Sequence, residues 1–262
     1  MIEVHDLVKN FGEFCAVDHI SFEVPAGKIF GFLGPNGAGK TTTIKMLTTI
    51  LKPTRGSILV NGHDPLRDPY RVRASFGIVF QDPSLDGELT ALENLELHGV
   101  LYGVHSGERH ERIEKLLRLV ELWDRKKDFV KNFSGGMKRR LEIARALLHV
   151  PKILFLDEPT LGLDPQTRNH IWNYVRQLST EQNITVFFTT HYMDEADRVA
   201  DEIAIVDHGK IIAQGTPGAL KEKTQKQTLE DAFIALTGNA IREEEASNAD
   251  RMRTMRKVWG GR

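Results

Sequence analysis

Gly34-Pro35-Asn36-Gly37-Ala38-Gly39-Lys40-Thr41-Thr42 decides how the rest of this 262-residue chain is read. It fits the pattern G-x-x-x-x-G-K-[ST], a loop whose backbone N–H groups cradle phosphate oxygens. Lys28-Ile29-Phe30-Gly31-Phe32-Leu33 precedes it and reads as a short buried strand. Thr43 to Leu51 follows, with Ile44, Leu47 and Leu51 on one face of a helix. A strand, a glycine-rich turn and a helix in that order form the context this chemistry needs. The glycines let N–H groups converge on phosphate, and the helix N-terminus favours an anion. Lys40 is placed to neutralise the terminal phosphates, and the Thr41 hydroxyl to hold Mg²⁺.

Working outward, Ile153-Leu154-Phe155-Leu156-Asp157-Glu158-Pro159-Thr160 reads as a buried strand ending in two carboxylates. Packing does not explain them, because burying an unpaired carboxylate is costly. A Mg²⁺ beside Lys40 and Thr41 pairs Asp157 naturally, leaving Glu158 to orient or deprotonate a water. Ile184 to Thr190 is another buried strand, and His191 stands at its end. A single His is most often a satisfied structural residue, but its place at a strand end favours a phosphate contact. Gln81 follows the short buried strand Phe76-Gly77-Ile78-Val79-Phe80 and reads either as a loop amide or as a metal or water ligand. Asn132-Phe133-Ser134-Gly135-Gly136-Met137 opens a helix running through Leu141, Ala144 and Leu148. Ser134 there is a plain N-cap or, with the neighbouring N–H groups, a second anion site. The phosphate loop elsewhere in the chain favours the second reading. Lys138, Arg139 and Arg140 are either solvated or a source of positive potential, and the sequence does not choose. Asp164, before Pro165, reads as a helix N-cap. For Phe11, packing in a core or turn outweighs the alternative, an aromatic plate for a purine.

The frame around these residues is α/β. Residues 2–34 read as strands, with Ile20, Phe22 and Val24 alternating with Ser21 and Glu23. Thr90 to about Val130 is helical, Ile113, Leu116, Leu117 and Val120 striping one face. No strand pattern interrupts it, so it reads as a helical insertion. The charged run from Glu108 to Lys115 reads as a solvated face. Leu92, Leu95, Leu97, Val100, Leu101 and Tyr102 read as core more than interface, with partial exposure the alternative for an insertion that faces a partner. Ile203 to Ala213 reads as a hairpin, Thr216-Pro217 as a helix start, and Leu229, Phe233 and Leu236 as the stripe of a last helix. From Asn239 the chain is charged and irregular, which reads as a weakly ordered or partner-binding tail.

Composition narrows the function classes. Hydrophobic residues make up 40% and the formal net charge is -1, so a sizeable core is expected and a nucleic-acid partner is not. The one cysteine, Cys15, forbids an intrachain disulfide and suits a reducing compartment. No signal peptide is visible, and the longest apolar runs fall far short of the roughly 18 residues a spanning helix needs.

With the glycine loop, the Ser134-Gly135-Gly136 element and the Asp157-Glu158 strand in this order, the chain resembles the ATP-binding subunit of ABC transporters over roughly residues 2–236. The resemblance implies a phosphate-loop NTPase (RecA-like) core with an N-terminal antiparallel β-subdomain and an inserted helical subdomain at about 83–150. It makes 1–238 the ATP-binding domain and 239–262 a tail. It implies ATP and Mg²⁺ as cofactors. Phe11 matches the aromatic that stacks on adenine. Gly34, Pro35, Asn36, Gly37, Ala38, Gly39, Lys40, Thr41 and Thr42 match the Walker A loop. Asp157 matches the Walker B aspartate near Mg²⁺ and Glu158 the catalytic glutamate. Gln81 matches the glutamine that senses Mg²⁺ and water, and His191 the switch histidine. Asp164 matches the aspartate that communicates across the dimer. Ser134, Gly135 and Gly136 match the signature that reaches nucleotide on the other copy. The usual Leu and Gln of that signature are Phe133 and Met137 here.

The implied assembly is a head-to-tail dimer of two copies with ATP between them, carried on the cytoplasmic face of the membrane by a polytopic membrane subunit. Leu101-Tyr102-Gly103-Val104, Gly162-Leu163-Asp164-Pro165, Thr189-Thr190-His191-Tyr192-Met193-Asp194-Glu195-Ala196 and Leu229-Glu230-Asp231-Ala232-Phe233 look like the exporter group for drugs, antibiotics and lipids that has a separate type-2 membrane subunit. The alternatives are an importer subunit, a soluble ABC ATPase acting on nucleic acid or ribosomes, and a regulatory nucleotide-binding module. One unit without a heptad run or basic excess argues against the second, and intact Glu158 and His191 against the third.

Overall fold

A computed structural model describes residues 1–82 and 84–238. The expectation of a weakly ordered or partner-binding tail at 239–262 lies outside the described residues. The chain opens with β1 (Ile2–Phe11), β2 (Phe14–Val24) and β3 (Ile29–Leu33), then α1 (Lys40–Leu47), β4 (Arg55–Val60), α2 (Pro69–Ser75) and β5 (Phe76–Val79). Next come α3 (Ala91–Leu101), α4 (Ser106–Leu119) and α5 (Gly135–Leu147). It continues through β6 (Ile153–Asp157), α6 (Pro165–Gln182), β7 (Thr185–Thr190), α7 (Met193–Val199), β8 (Glu202–Asp207), β9 (Lys210–Gly215), α8 (Pro217–Thr224) and α9 (Leu229–Thr237).

Two sheets result. One is antiparallel, in the order β2-β1-β4, and the other runs β5-β6-β7-β3-β8-β9, parallel except for β9. Strand alternation sorts the larger sheet's side chains between two cores. Phe30, Phe32, Phe155 and Phe187 face the antiparallel sheet, where Phe22 stacks on Phe30 at 5.6 Å between ring centroids. Ile29, Leu33, Leu154, Leu156, Val186 and Phe188 face the opposite way, onto α5, α6 and α7. A third cluster lies among α3, α4 and α5, where Leu95, Ile113, Leu117 and Leu141 meet.

Register fixes where the polar residues land. Asp157 pairs with Thr189 and Leu33 with Thr190 across adjacent parallel strands, so the carboxyl ends of β6, β7 and β3 are level. In open α/β sheets that edge is where ligands bind.

The structure corrects one expectation and decides between alternatives in two others. The first helix stops at Leu47 rather than reaching Leu51. Thr49 turns left-handed at φ 66, and the Ile50 and Leu51 N–H groups return to the Lys45 carbonyl, which closes the helix end. The set Leu92 to Tyr102 is not all core: Leu95 is buried, but Leu97, Val100 and Leu101 face outward, Leu101 at 72% exposure. Apolar residues surround α3, and a helix that packs on one face buries only one stripe. Phe11 lies at the β1–β2 turn and not in the core: at 50% exposure it ends β1 opposite Phe14, with the Lys9 ammonium 5.0 Å from its ring centroid. Helix α2 had no sequence expectation, although Asp68-Pro69 supplies an N-cap residue and a proline at the first helical position.

Candidate active site

The glycine loop leaves β3 and enters α1. Gly39 caps the helix at φ 102 without a side-chain acceptor for the first-turn N–H groups, so these remain available to an anion. Gly37 also takes a positive φ, 79. A Cβ on Gly34 would lie 2.3 Å from the Val206 carbonyl oxygen, so only glycine fits there.

Lys40 is buried, and its Nζ donates to the Gly34 oxygen at 2.7 Å and to the Pro35 oxygen at 3.2 Å. It also pairs with Glu158 Oε1 at 3.2 Å. The other oxygen of Glu158 meets His191 Nδ1 at 2.9 Å. Asp157 Oδ1 accepts from the Thr189 hydroxyl at 2.6 Å and from the Thr41 hydroxyl at 3.4 Å. Burial drives the Asp157 carboxyl above its ordinary pKa, against the pull of those two hydroxyls, and the neighbouring Glu158 adds to the rise. A divalent cation reverses that logic by supplying positive charge.

The donor set fits Mg²⁺: a hydroxyl and a carboxylate, both hard oxygens, stand beside a phosphate cradle. No group of three or more His, Cys, Asp and Glu gathers for a metal among the described residues. A cation that keeps waters and binds substrate phosphates needs few protein ligands.

Lys40, Thr41, Asp157, Glu158 and His191 thus form one contact network. Gly34, Pro35 and Asn36 line a cleft of about 280 Å³ together with His191, Met193 and Phe233. Ala38 is buried behind the loop, while Thr42 is partly exposed in the first turn of α1. Other predicted residues stand apart. Gln81 is exposed after β5, with its carbonyl accepting from Arg139 at 3.3 Å. Ser134 and Gly135 are exposed at the start of α5, and Ser134 Oγ accepts from the Met137 N–H at 3.3 Å as an N-cap. Gly136 packs against Thr167, where a Cβ would come within 2.8 Å of that side chain. Phe133 and Met137, the two departures in the signature, join the α3–α4–α5 cluster. Asp164 caps α6, accepting from the Thr167 N–H at 3.0 Å and its hydroxyl at 2.6 Å, which hold its carboxyl below the ordinary range.

Thr189, to which the sequence reading gave no role in the site, is central. Its hydroxyl donates to Asp157 and accepts from the Glu158 N–H at 3.1 Å. A polar pair, Thr189-Thr190, closing an apolar strand is the same signal that exposed Asp157-Glu158. Thr160, Glu195 and Arg168 likewise had no role assigned from sequence. The Thr160 hydroxyl donates to Glu195 at 2.7 Å, and Arg168 donates to the Leu163 carbonyl at 2.9 Å while lying over the Tyr192 ring.

Against known proteins, a family model described as ABC transporter matches residues 17–161. The chain belongs to the ABC transporter family. The daunorubicin/doxorubicin resistance ATP-binding protein DrrA of Streptomyces peucetius is 46% identical to this ABC protein over 228 residues, covering 87% of the chain and 69% of the relative. The linearmycin resistance ATP-binding protein LnrL of Bacillus subtilis is 42% identical over 243 residues, covering 93% and 76%. Among solved structures, an ATP-binding subunit of an ABC transporter superposes with a TM-score of 0.83 at 31% identity, covering 91% of this chain and 100% of that one. A dimeric ATP-binding cassette in a post-hydrolysis state, bound to ADP and Pi, superposes at 0.75 with 28% identity, covering 82% and 98%. As an ABC ATP-binding subunit, the chain binds ATP with Mg²⁺ and is an ATPase. No helix among the described residues is long and apolar enough to cross a membrane.

Proposed function

We propose that this ABC protein hydrolyses ATP to drive export through a separate membrane subunit, with 1–238 as the ATP-binding domain and about 83–150 as a helical subdomain inserted in it. The observation that carries the chemistry is the buried pair Lys40–Glu158, extended by the half-buried His191, beside Thr41–Asp157 at the level edge of three parallel strands. Resistance and export names among relatives, such as the Nod factor export ATP-binding protein I of Cupriavidus metallidurans at 40% identity, support the direction of transport.

Lys40 is engaged internally by two carbonyls and Glu158. A multiply charged triphosphate in the loop draws the ammonium away, because Coulomb attraction grows with charge at fixed distance. Glu158 is then free to orient the attacking water, with His191 keeping hold of its second oxygen or turning to the γ-phosphate. Mg²⁺ held by Thr41, Asp157 and Gln81 would neutralise charge on the phosphate oxygens, which is most of what such catalysis requires. Phe11, exposed at the end of β1, offers its ring face to adenine.

Ser134 and Gly135 face outward at the start of α5, and together with Gly136, which packs against Thr167 in the helix that Asp164 caps, they serve nucleotide on a second copy in a head-to-tail dimer. The membrane partner, of the type-2 exporter kind, docks near Gln81 and on the outward face of α3, where Leu97, Val100 and Leu101 lie exposed. In this reading the chain sits peripherally at the cytoplasmic membrane surface. The test is Glu158→Gln together with recovery of the tagged chain from detergent extract. Loss of hydrolysis with retained ATP binding, and a polytopic membrane protein in the eluate, are expected. Hydrolysis at the parental rate, or an eluate of ribosomes or DNA, refutes the reading.

A further inference from the structure

Arg139 resolves the ambiguity of the run Lys138-Arg139-Arg140. Its side chain is 7% exposed in the second turn of α5. The guanidinium donates to the backbone carbonyls of Phe80, of Gln81 at 3.3 Å and of Glu158 at 3.3 Å, and to Glu142 Oε2 at 3.1 Å. Glu142, 1% exposed, spends its other oxygen on the Ser84 N–H at 2.8 Å. Arg145, one turn farther along α5, donates to the Ser84 carbonyl at 2.8 Å and to its hydroxyl. One face of α5 is therefore stitched to the Gln81 loop, and Arg139 alone extends the stitching to Glu158.

Glu158 needs such support. Its φ is 49, a left-handed conformation that residues with a Cβ seldom adopt. Such geometry persists where the surroundings over-determine it. The Glu158 N–H is held by the carbonyl and hydroxyl of Thr189, both at 3.1 Å. On the other side of the residue, Arg139 and the Leu161 N–H take its carbonyl. A planar guanidinium with five donors can serve three carbonyls and a carboxylate at once; an ammonium with three cannot.

We infer that Arg139 is a positioning residue for hydrolysis: by clamping the Glu158 carbonyl it aims that carboxylate, and by holding Phe80 and Gln81 it makes the Gln81 loop, the Glu158 backbone and the helix behind Ser134 move as one piece. The inference rests on the reading of Glu158 as the residue that orients water. It predicts that Arg139 acts on turnover through Glu158, without touching nucleotide.

The experiment is steady-state ATPase of the full chain in parent, R139M, R139K, E158Q and R139M/E158Q forms, with ATP affinity from a fluorescent analogue and the folded fraction from thermal unfolding. R139M is expected to lower kcat by about 10- to 100-fold per nucleotide-binding molecule, with KM and ATP affinity within about twofold. R139K recovers part of that loss. Adding R139M to E158Q costs nothing further, because both act through one group; a merely structural defect would slow E158Q again. If R139M does not fold, R139K carries the test, a lowered kcat at unchanged affinity supporting the inference. Parental kcat in the folded Arg139 variant, with E158Q inactive, overturns the inference alone. Parental kcat in E158Q removes the reading of Glu158 and this inference with it.

Discussion

Two positive-φ glycines of the phosphate loop differ in what a Cβ would meet, and a pair of alanine substitutions tests that difference. Gly37 has φ 79 and open space where a Cβ would stand. Gly39 has φ 102, and a Cβ there would lie 2.5 Å from the Ala16 carbonyl oxygen and 3.4 Å from Val17 Cγ2. Both substitutions carry the backbone penalty of a left-handed L-residue, about 1–2 kcal/mol. Only Gly39→Ala adds a collision, and it is with the β2 backbone at Ala16, an irregular position held between the paired Cys15 and Val17, which cannot swing aside like a side chain. Overpacking of that kind costs about 1–3 kcal/mol. The expected gap is therefore about 2 kcal/mol, or about 4–8 °C in Tm for a chain of this size. Thermal unfolding of the two variants without nucleotide, side by side with the parent, measures it. Gly37→Ala should melt a few degrees below the parent and Gly39→Ala clearly lower still. Coincident melting of the two would refute the claim that the approach of β2 to the loop dictates glycine at position 39.

Other outcomes follow from the same geometry. Glu158→Gln should reduce hydrolysis by about 10²- to 10⁴-fold while ATP-loaded dimers accumulate on size exclusion; a variant that stays monomeric with ATP would contradict the two-copy site. Thr189→Val removes a donor to Asp157 and an acceptor for the Glu158 N–H, destabilising the buried edge by about 1–3 kcal/mol. It should also push the Asp157 carboxyl further up, so that the Mg²⁺ concentration for half-maximal activity rises on going from neutral to acidic pH; an unchanged requirement would count against Asp157 as the metal residue. His98 is pushed down to about 4 by burial first, then by Arg145 and His149. The unfolded ring titrates near 6.5, so the unfolded state binds more protons between those values. Stability from this group is full above about pH 6.5 and falls as pH drops toward 4, by on the order of 2 kcal/mol after allowing for solvent screening. His98→Phe should flatten the Tm profile across that window, and a profile identical to the parent's would exclude His98 as its source. Leu101→Asp should leave Tm unchanged and abolish recovery of the membrane partner; undiminished recovery would remove α3 from the docking face.

The phosphate loop, the carboxylate strand and the hairpin of β8 and β9 were legible because each rests on local pattern: glycine spacing, an apolar run broken by charge, a turn between two short strands. Ile171, Val175 and Leu178 point inward from α6 as their spacing requires. What was not legible depends on neighbours far apart in sequence. The end of α1 at Leu47 is set by a left-handed Thr49, and threonine carries no strong signal for that conformation. Residues of α3 were apolar on too many sides for sequence to say which stripe packs. Arg139 could not be told from Lys138 and Arg140, because its carbonyl partners lie 59, 58 and 19 residues away.

Strand geometry alone would not have brought Asp157 and Glu158 to one site. Successive side chains of a strand point to opposite faces, so two adjacent carboxylates at the end of β6 ought to diverge. Asp157 is the last residue in the ladder, opposite Thr189, and reaches the Thr41 hydroxyl at 3.4 Å. At Glu158 the backbone leaves the sheet with φ 49, which breaks the alternation and turns the second carboxylate onto Lys40 at 3.2 Å. On the other side of the site, Lys40 and Thr41 are likewise adjacent, at the start of α1. Two neighbours on a helix thus meet two neighbours on a strand end, pair by pair, and the match is made by one residue in a strained conformation. Relieving that strain with Glu158→Gly would remove the carboxylate along with it. The left-handed turn is therefore kept at a glutamate, and Thr189 and Arg139 hold it from either side.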